Sequence, residues 1–131
     1  MNWVTETLAE YGRQLGIEGF SLGQHGVAQL QLESGALIAI EPVRRSEAEE
    51  VLVYVIHPLR FDAATLRRRA LEKAHYANGG LYPVQVATRG EGSDTSLLLV
   101  VRLPEREFTL PVLGRAVDFL ERWFNELQSG R

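Results

Sequence analysis

The chain has no cysteine, one methionine and no long run of apolar residues. Without cysteine there is neither a disulfide nor a thiolate metal site, a composition that fits a reducing compartment. The apolar runs fall well short of the roughly 20 residues a membrane-spanning helix needs. Charge of one sign is also scarce. Fourteen Lys and Arg against seventeen Asp and Glu leave a net charge of -3, whereas nucleic-acid binding usually requires a basic face. The opening residues "MNWVTETLAEYGRQLG" carry Glu6 and Glu10 and no basic segment before an apolar stretch, so they do not read as a secretory signal. The default compartment is the cytoplasm. No internal repeat, low-complexity tract or Pro/Ser linker divides the chain. Its 131 residues, 45% of them hydrophobic and 24% charged, are expected to form a single soluble domain, 1–131.

Chemistry is equally sparse. His25, His57 and His75 share no metal-ligand spacing. No Gly-x-Ser-x-Gly elbow occurs. "GEGSD" at 90–94 lacks the Gly-Lys-Ser/Thr ending of a phosphate loop and leads into a strand, so a hairpin loop is the better reading. Arg67, Arg68 and Arg69 fan around a helix instead of forming one basic patch, and Glu6 and Glu10 belong to the wet side of theirs. Trp123 and Phe124 at helical spacing read as core. No residue is assigned a catalytic, cofactor-binding or metal-binding role.

The periodicity carries more. Val4, Leu8, Tyr11 and Leu15 predict an amphipathic helix from Trp3 to Leu15, capped by Asn2 and stopped by Gly16. Alternation over Val27–Leu32, a turn at Glu33-Ser34-Gly35 and a second strand Ala36–Glu41 predict a hairpin, with Pro42 closing it. The charged stretch 44–50 then reads as a solvated connection. "VLVYVIHPL" at 51–59 is the third strand. Asp62 caps a second helix that runs to a stop at Asn78-Gly79-Gly80. Its narrow stripe Leu66, Ala70 and Ala74, with Leu71 beside it, suits the close approach of another helix. "PVQVAT" (83–88) is a short fourth strand with Val84 and Val86 facing together, "SLLLVVRLP" (96–104) a fifth. A last helix capped by Thr109 carries the wide apolar face Val112, Leu113, Ala116, Val117, Leu120, Trp123, Phe124 and Leu127. Gly114 within it either permits close packing or marks a later helix start.

This order predicts an α+β fold, α-β-β-β-α-β-β-α, with a largely antiparallel five-stranded sheet and helices on one face. A problem follows. Val51, Val53 and Val55 point to one side of the third strand and Leu52, Tyr54 and Ile56 to the other, and 96–104 repeats the pattern. One layer of helices covers one face. Apolar surface left on the other marks an interaction surface.

The opening "LAEYGRQLGIEGFSL", the hairpin "VAQLQLESGALIAIE", the helix end "ALEKAHYANGG", the strand "LLLVVRLP" and the Trp-Phe near the end of the last helix together resemble class I type III secretion chaperones, the CesT/Tir-chaperone family. The resemblance covers nearly the whole chain. It implies a cytoplasmic bacterial homodimer associated with virulence that uses no cofactor, does not hydrolyse ATP, and binds the N-terminal chaperone-binding segment of a secreted effector, keeping it partly unfolded and secretion-competent. Dimer contacts would then come from Leu66, Ala70, Ala74, Val84 and Val86. An effector would meet Val4, Leu8, Tyr11, Leu30, Leu37 and Leu99, with Val27–Leu32 as the candidate open edge. The alternative is a YbjN-like sensory or regulatory domain that binds a folded protein. A small-ligand binder or enzyme would need convergent polar groups, which the sequence does not show.

Overall fold

The computed structural model describes residues 2–45, 48–76 and 82–130. Its elements are α1 (Asn2–Gln14), β1 (Ala28–Gln31), β2 (Leu37–Arg45), β3 (Ala48–Pro58), α2 (Ala63–Tyr76), β4 (Gln85–Arg89), β5 (Ser96–Pro104) and α3 (Leu110–Gln128), with single 3-10 turns at Gly92–Asp94 and Glu105–Glu107. The strands form one antiparallel sheet in the order β1-β2-β3-β5-β4. That is the α+β order expected from the sequence.

Local signals explain most boundaries. α1 includes Asn2, and the chain leaves it through Gly16 in the left-handed region at φ +80, where a glycine carries no steric cost. The Thr109 hydroxyl accepts a hydrogen bond from Val112 N at 3.3 Å, so α3 begins at the expected cap and Gly114 lies inside it. The expected end of α2 at Asn78-Gly79-Gly80 lies outside the described residues.

Two expectations are corrected. Pro42 does not close its strand, because β2 continues to Arg45. β1 pairs only with Leu37 to Ile40, so beyond Ile40 the outer side of β2 has no paired strand among the described residues and a proline without an N–H is tolerated there. Nor is 44–50 only a connection: Arg44, Ala48 and Glu49 are exposed as expected, but 44–45 and 48–50 belong to β2 and β3. The β2–β3 register runs through Arg44 opposite Glu49 to Arg45 opposite Ala48, a cross-strand pair of opposite charge where a loop was expected.

The register assigns the faces. Val51, Val53 and Val55 of β3, Leu97, Leu99 and Val101 of β5, and Ile40 and Ala28 have no exposed surface. They form one core with Leu113, Ala116 and Leu120 of α3 and Val4 and Leu8 of α1. α2 lies at the flank, against α3 and β4. Each fully buried Leu or Val contributes roughly 1.5–3 kcal/mol, so the α1/α3-covered face is where the fold is held.

Candidate functional site

The other sheet face has no helix over it among the described residues. Leu37 of β2, Leu52 and Tyr54 of β3, and Leu98 and Val100 of β5 lie together there by register and are only half-buried, while Ala39 and Ile56 between them are buried. Polar pairs border this apolar strip. The Tyr54 hydroxyl donates to Glu41 Oε1 at 3.0 Å, and Arg102 donates through Nε to Gln85 Oε1 at 2.7 Å and through Nη1 to Glu50 Oε1 at 3.4 Å. Burial, together with the hydrogen bond to the Glu41 carboxylate and its charge, pushes the Tyr54 hydroxyl up to about 12, against a smaller opposing effect of Arg89. A one-sided antiparallel sheet usually alternates apolar-in and polar-out. Here the outward positions are apolar at the centre and polar only at the border, the layout of a recognition surface.

Both outer strands leave a backbone edge open among the described residues. β1 is four residues long with Gln29 and Gln31 exposed; β4 exposes Gln85, Ala87, Thr88 and Arg89. An extended peptide can add a strand at such an edge while its side chains reach the adjoining face.

The candidate effector-contacting residues divide. Val4, Leu8 and Leu99 have no exposed surface and Tyr11 has 6%, so these four lie in the interior and not in a groove. The reason is the sheet: α1 packs on the same face as α3, and its apolar stripe is consumed there. Burial, reinforced by the charge of Asp118, pushes the Tyr11 hydroxyl up to about 12. Leu37 lies on the open face, and Leu30, on the opposite face of the edge strand, is half-buried against the core. Their neighbours on the open face, Leu52, Tyr54, Leu98 and Val100, were not singled out from sequence, although the two-sided alternation of β3 and β5 already contained them.

The candidate dimer residues converge on one seam. Ala70 is fully buried, and Leu66, Ala74, Val84 and Val86 pack partly buried against the core. The helix that the small stripe approaches is α3 of the same chain: Lys73 bonds Glu126 Oε1 at 2.9 Å and lies 5.2 Å from the centre of the Trp123 ring. What α2 turns outward includes Leu71, 55% exposed.

A cleft of about 590 Å³ lies between the end of β3, the start of α2 and the end of α3. His57 and Phe124 stack in it, and Phe61 stands at its rim, 83% exposed. Sequence reading placed His57 at a strand end and passed over Phe61, since one aromatic between Arg60 and Asp62 has no periodicity to flag it.

The strand order, open edges and flanking helix are now comparable with known proteins. A search of curated proteins gives no match. Among solved structures, the fold resembles a chain in the ExsC-ExsE complex (TM-score 0.71, 16% identity, 96% of this chain and 91% of that one) and a chain in the HopA1-SchA chaperone-effector complex (TM-score 0.64, 14% identity, 97% and 94%). It also resembles a chain in the complex of the Yersinia pestis type III secretion chaperone SycH with a stable fragment of YscM2 (TM-score 0.61, 15% identity, 94% and 98%). The family model of the type III secretory system chaperone SycN matches residues 3–128, and the chain belongs to that family.

Proposed function

We propose that this chaperone binds the N-terminal chaperone-binding segment of a secreted effector in an extended form and holds it partly unfolded until secretion. One observation carries the reading. The helices cover one sheet face, and an apolar strip bordered by hydrogen-bonded polar pairs is left on the other, between two open edges. A segment that pairs one stretch with the β1 edge and crosses the open face with another, over Leu37, Leu52, Leu98 and Val100, satisfies both. Solved structures of similar fold being chaperone–effector complexes supports it.

The finer parts belong to the same proposal. The protein acts as a homodimer through the α2–β4 side, where the exposed Leu71 and the partly buried Leu66, Ala74, Val84 and Val86 offer the contact and Ala70 stays in the core of its own chain. It works in the bacterial cytoplasm, before the effector leaves, and needs neither cofactor nor nucleotide. No helix is long and apolar enough to cross a membrane among the described residues.

The test titrates the purified chain with N-terminal segments of proteins that the bacterium's own type III system secretes, followed by amide exchange. Slowed exchange in β1 and β2 with the segment still protease-sensitive is the expected result. Failure of every segment to bind, or binding only to a folded partner, would replace this reading with that of a regulatory domain.

A further inference from the structure

The open sheet face carries charge as well as apolar surface, and the register says where. Glu41 stands opposite Leu52, Leu52 opposite Arg102, Glu50 opposite Pro104, and Arg89 opposite Ser96. Glu50 and Arg102 satisfy each other at 3.4 Å, and Gln85 holds Arg102 further. Glu41 and Arg89 are different. Glu41 is half-buried, and the Tyr54 hydroxyl that donates to its Oε1 at 3.0 Å fixes the carboxylate without supplying a countercharge. Among the described residues, no Lys or Arg lies within ion-pair distance of Glu41 and no carboxylate within that distance of Arg89. Arg89 is exposed, and near enough for its charge to act on the Tyr54 hydroxyl.

These two charges mark opposite ends of the apolar strip. Leu98 is the diagonal neighbour of Arg89, Val100 and Tyr54 come next, and Leu52 lies directly across from Glu41. Position, not net charge, carries the argument. A strip with a cation at one end and an anion at the other attracts a segment whose charges run in the complementary order and repels the reversed one. Six residues of β5 separate Ser96 from Arg102, and three strand-to-strand steps separate β4 from β2. At about 3.3 Å per residue and about 4.8 Å per step, the two Cα atoms are about 25 Å apart, a span of about six to eight extended residues once side-chain reach is counted. We propose that the open face selects a stretch of the effector segment with a Lys or Arg at Glu41, an Asp or Glu at Arg89, and apolar residues between them. The proposal rests on the chaperone reading and names the segment chemistry that this surface takes.

Random peptides of about 15 residues, roughly twice that span, selected on the immobilised chain, provide the test. The expected survivors carry a basic and an acidic residue about six to eight positions apart, in one order along the peptide. Glu41→Gln, which keeps an acceptor for Tyr54, and Arg89→Gln should each weaken a selected peptide about fivefold in fluorescence anisotropy at low salt, and less as salt rises. Glu41→Lys should instead prefer that peptide with its basic residue exchanged for glutamate. A library that enriches nothing, survivors without a charge order, or affinities indifferent to these substitutions overturn the proposal. Natural secreted segments that bind the wild-type and both glutamine variants equally also overturn it, and leave the chaperone reading standing. Charge-ordered survivors, combined with failure of every secreted segment to bind, would refute the chaperone reading and leave this selectivity in place.

Discussion

The same substitution in two helices should change stability in opposite directions. Gly114 lies in α3, four residues past its first residue Leu110, and a Cβ built there meets nothing within 4 Å. Neither reading offered by the sequence applies: no close contact requires the glycine, and the helix starts before it. Alanine at a helix interior position is favoured over glycine by about 1 kcal/mol. Unfolding entropy of about 2.1 cal/mol/K per residue over 131 residues makes that a rise in Tm of about 3–4 °C for Gly114→Ala. Gly12, in α1, is different. The chain turns after α1 so that Ile17 N donates to Gly12 O at 2.7 Å, and a Cβ on Gly12 would fall against Cβ of Phe20 and 3.0 Å from Ile17 O. Those atoms sit at or next to the backbone and have little freedom to yield. Overpacking costs about 1–3 kcal/mol, and a clash with atoms held by backbone takes the upper part of that range, about 2–3 kcal/mol, so after the helix gain of about 1 kcal/mol the expected net loss for Gly12→Ala is about 1–2 kcal/mol, or about 4–7 °C. Thermal and urea unfolding of both variants measures this. A destabilised Gly114→Ala would mean that another chain approaches α3 there, and a neutral Gly12→Ala would mean that the segment after α1 does not fold back on it.

The remaining predictions test surface and charge. Leu98→Glu on the open face should weaken binding of an effector segment about tenfold in calorimetry while leaving Tm within about 1 °C; full affinity would move the segment elsewhere. Leu71→Arg should shift the dimer toward monomer in sedimentation velocity, because a partner would have to bury an unpaired charge; an undisturbed dimer excludes the outward side of α2. Tyr54 and Tyr11 both titrate near 12 instead of 10 in the folded chain, so the neutral hydroxyls are favoured by folding. Their contribution is present in full below the ordinary value of about 10 and lost as pH rises from there to about 12. Tyr54→Phe should reduce the fall in stability across that window in urea unfolding, and an unchanged fall would show that neither burial nor the Glu41 contact holds this hydroxyl neutral.

How far the sequence was legible depends on the range of the interaction behind each feature. β3, β5 and α3 were readable because one periodicity, of 2.0 or 3.6 residues, sets each from within. Pro42 was misread because its effect depends on where a different strand, β1, stops pairing, and no local signal reports that. The stretch 44–50 reads as a loop because a run of exposed charges hides the alternation, whereas 44–45 and 48–50 extend β2 and β3 with the exposed Arg44 opposite Glu49. The stripe Leu66, Ala70, Ala74 did signal the close approach of a helix, but composition does not say whether that helix belongs to the same chain. Val4, Leu8, Tyr11 and Leu99 share their residue types with Leu37, Tyr54, Leu98 and Val100, and only the common placement of α1 and α3 on one face separates core from surface.

That placement is also what leaves one sheet face without a helix over it among the described residues. α3 and α1 supply the cover for one face, and α2, which buries Ala70 fully, is spent at the flank against α3 and β4. No helix among the described residues remains for Leu37, Leu52, Tyr54, Leu98 and Val100. A single chain has no folding reason to keep apolar side chains at those outward positions, since polar ones would serve the sheet equally and lower the risk of edge-to-edge aggregation. Exposed strip and open edges are separate liabilities in isolation. Together they share one remedy, an extended segment that pairs part of its backbone at the edge and lays another part across the strip, and the cargo of the proposed chaperone would supply that segment.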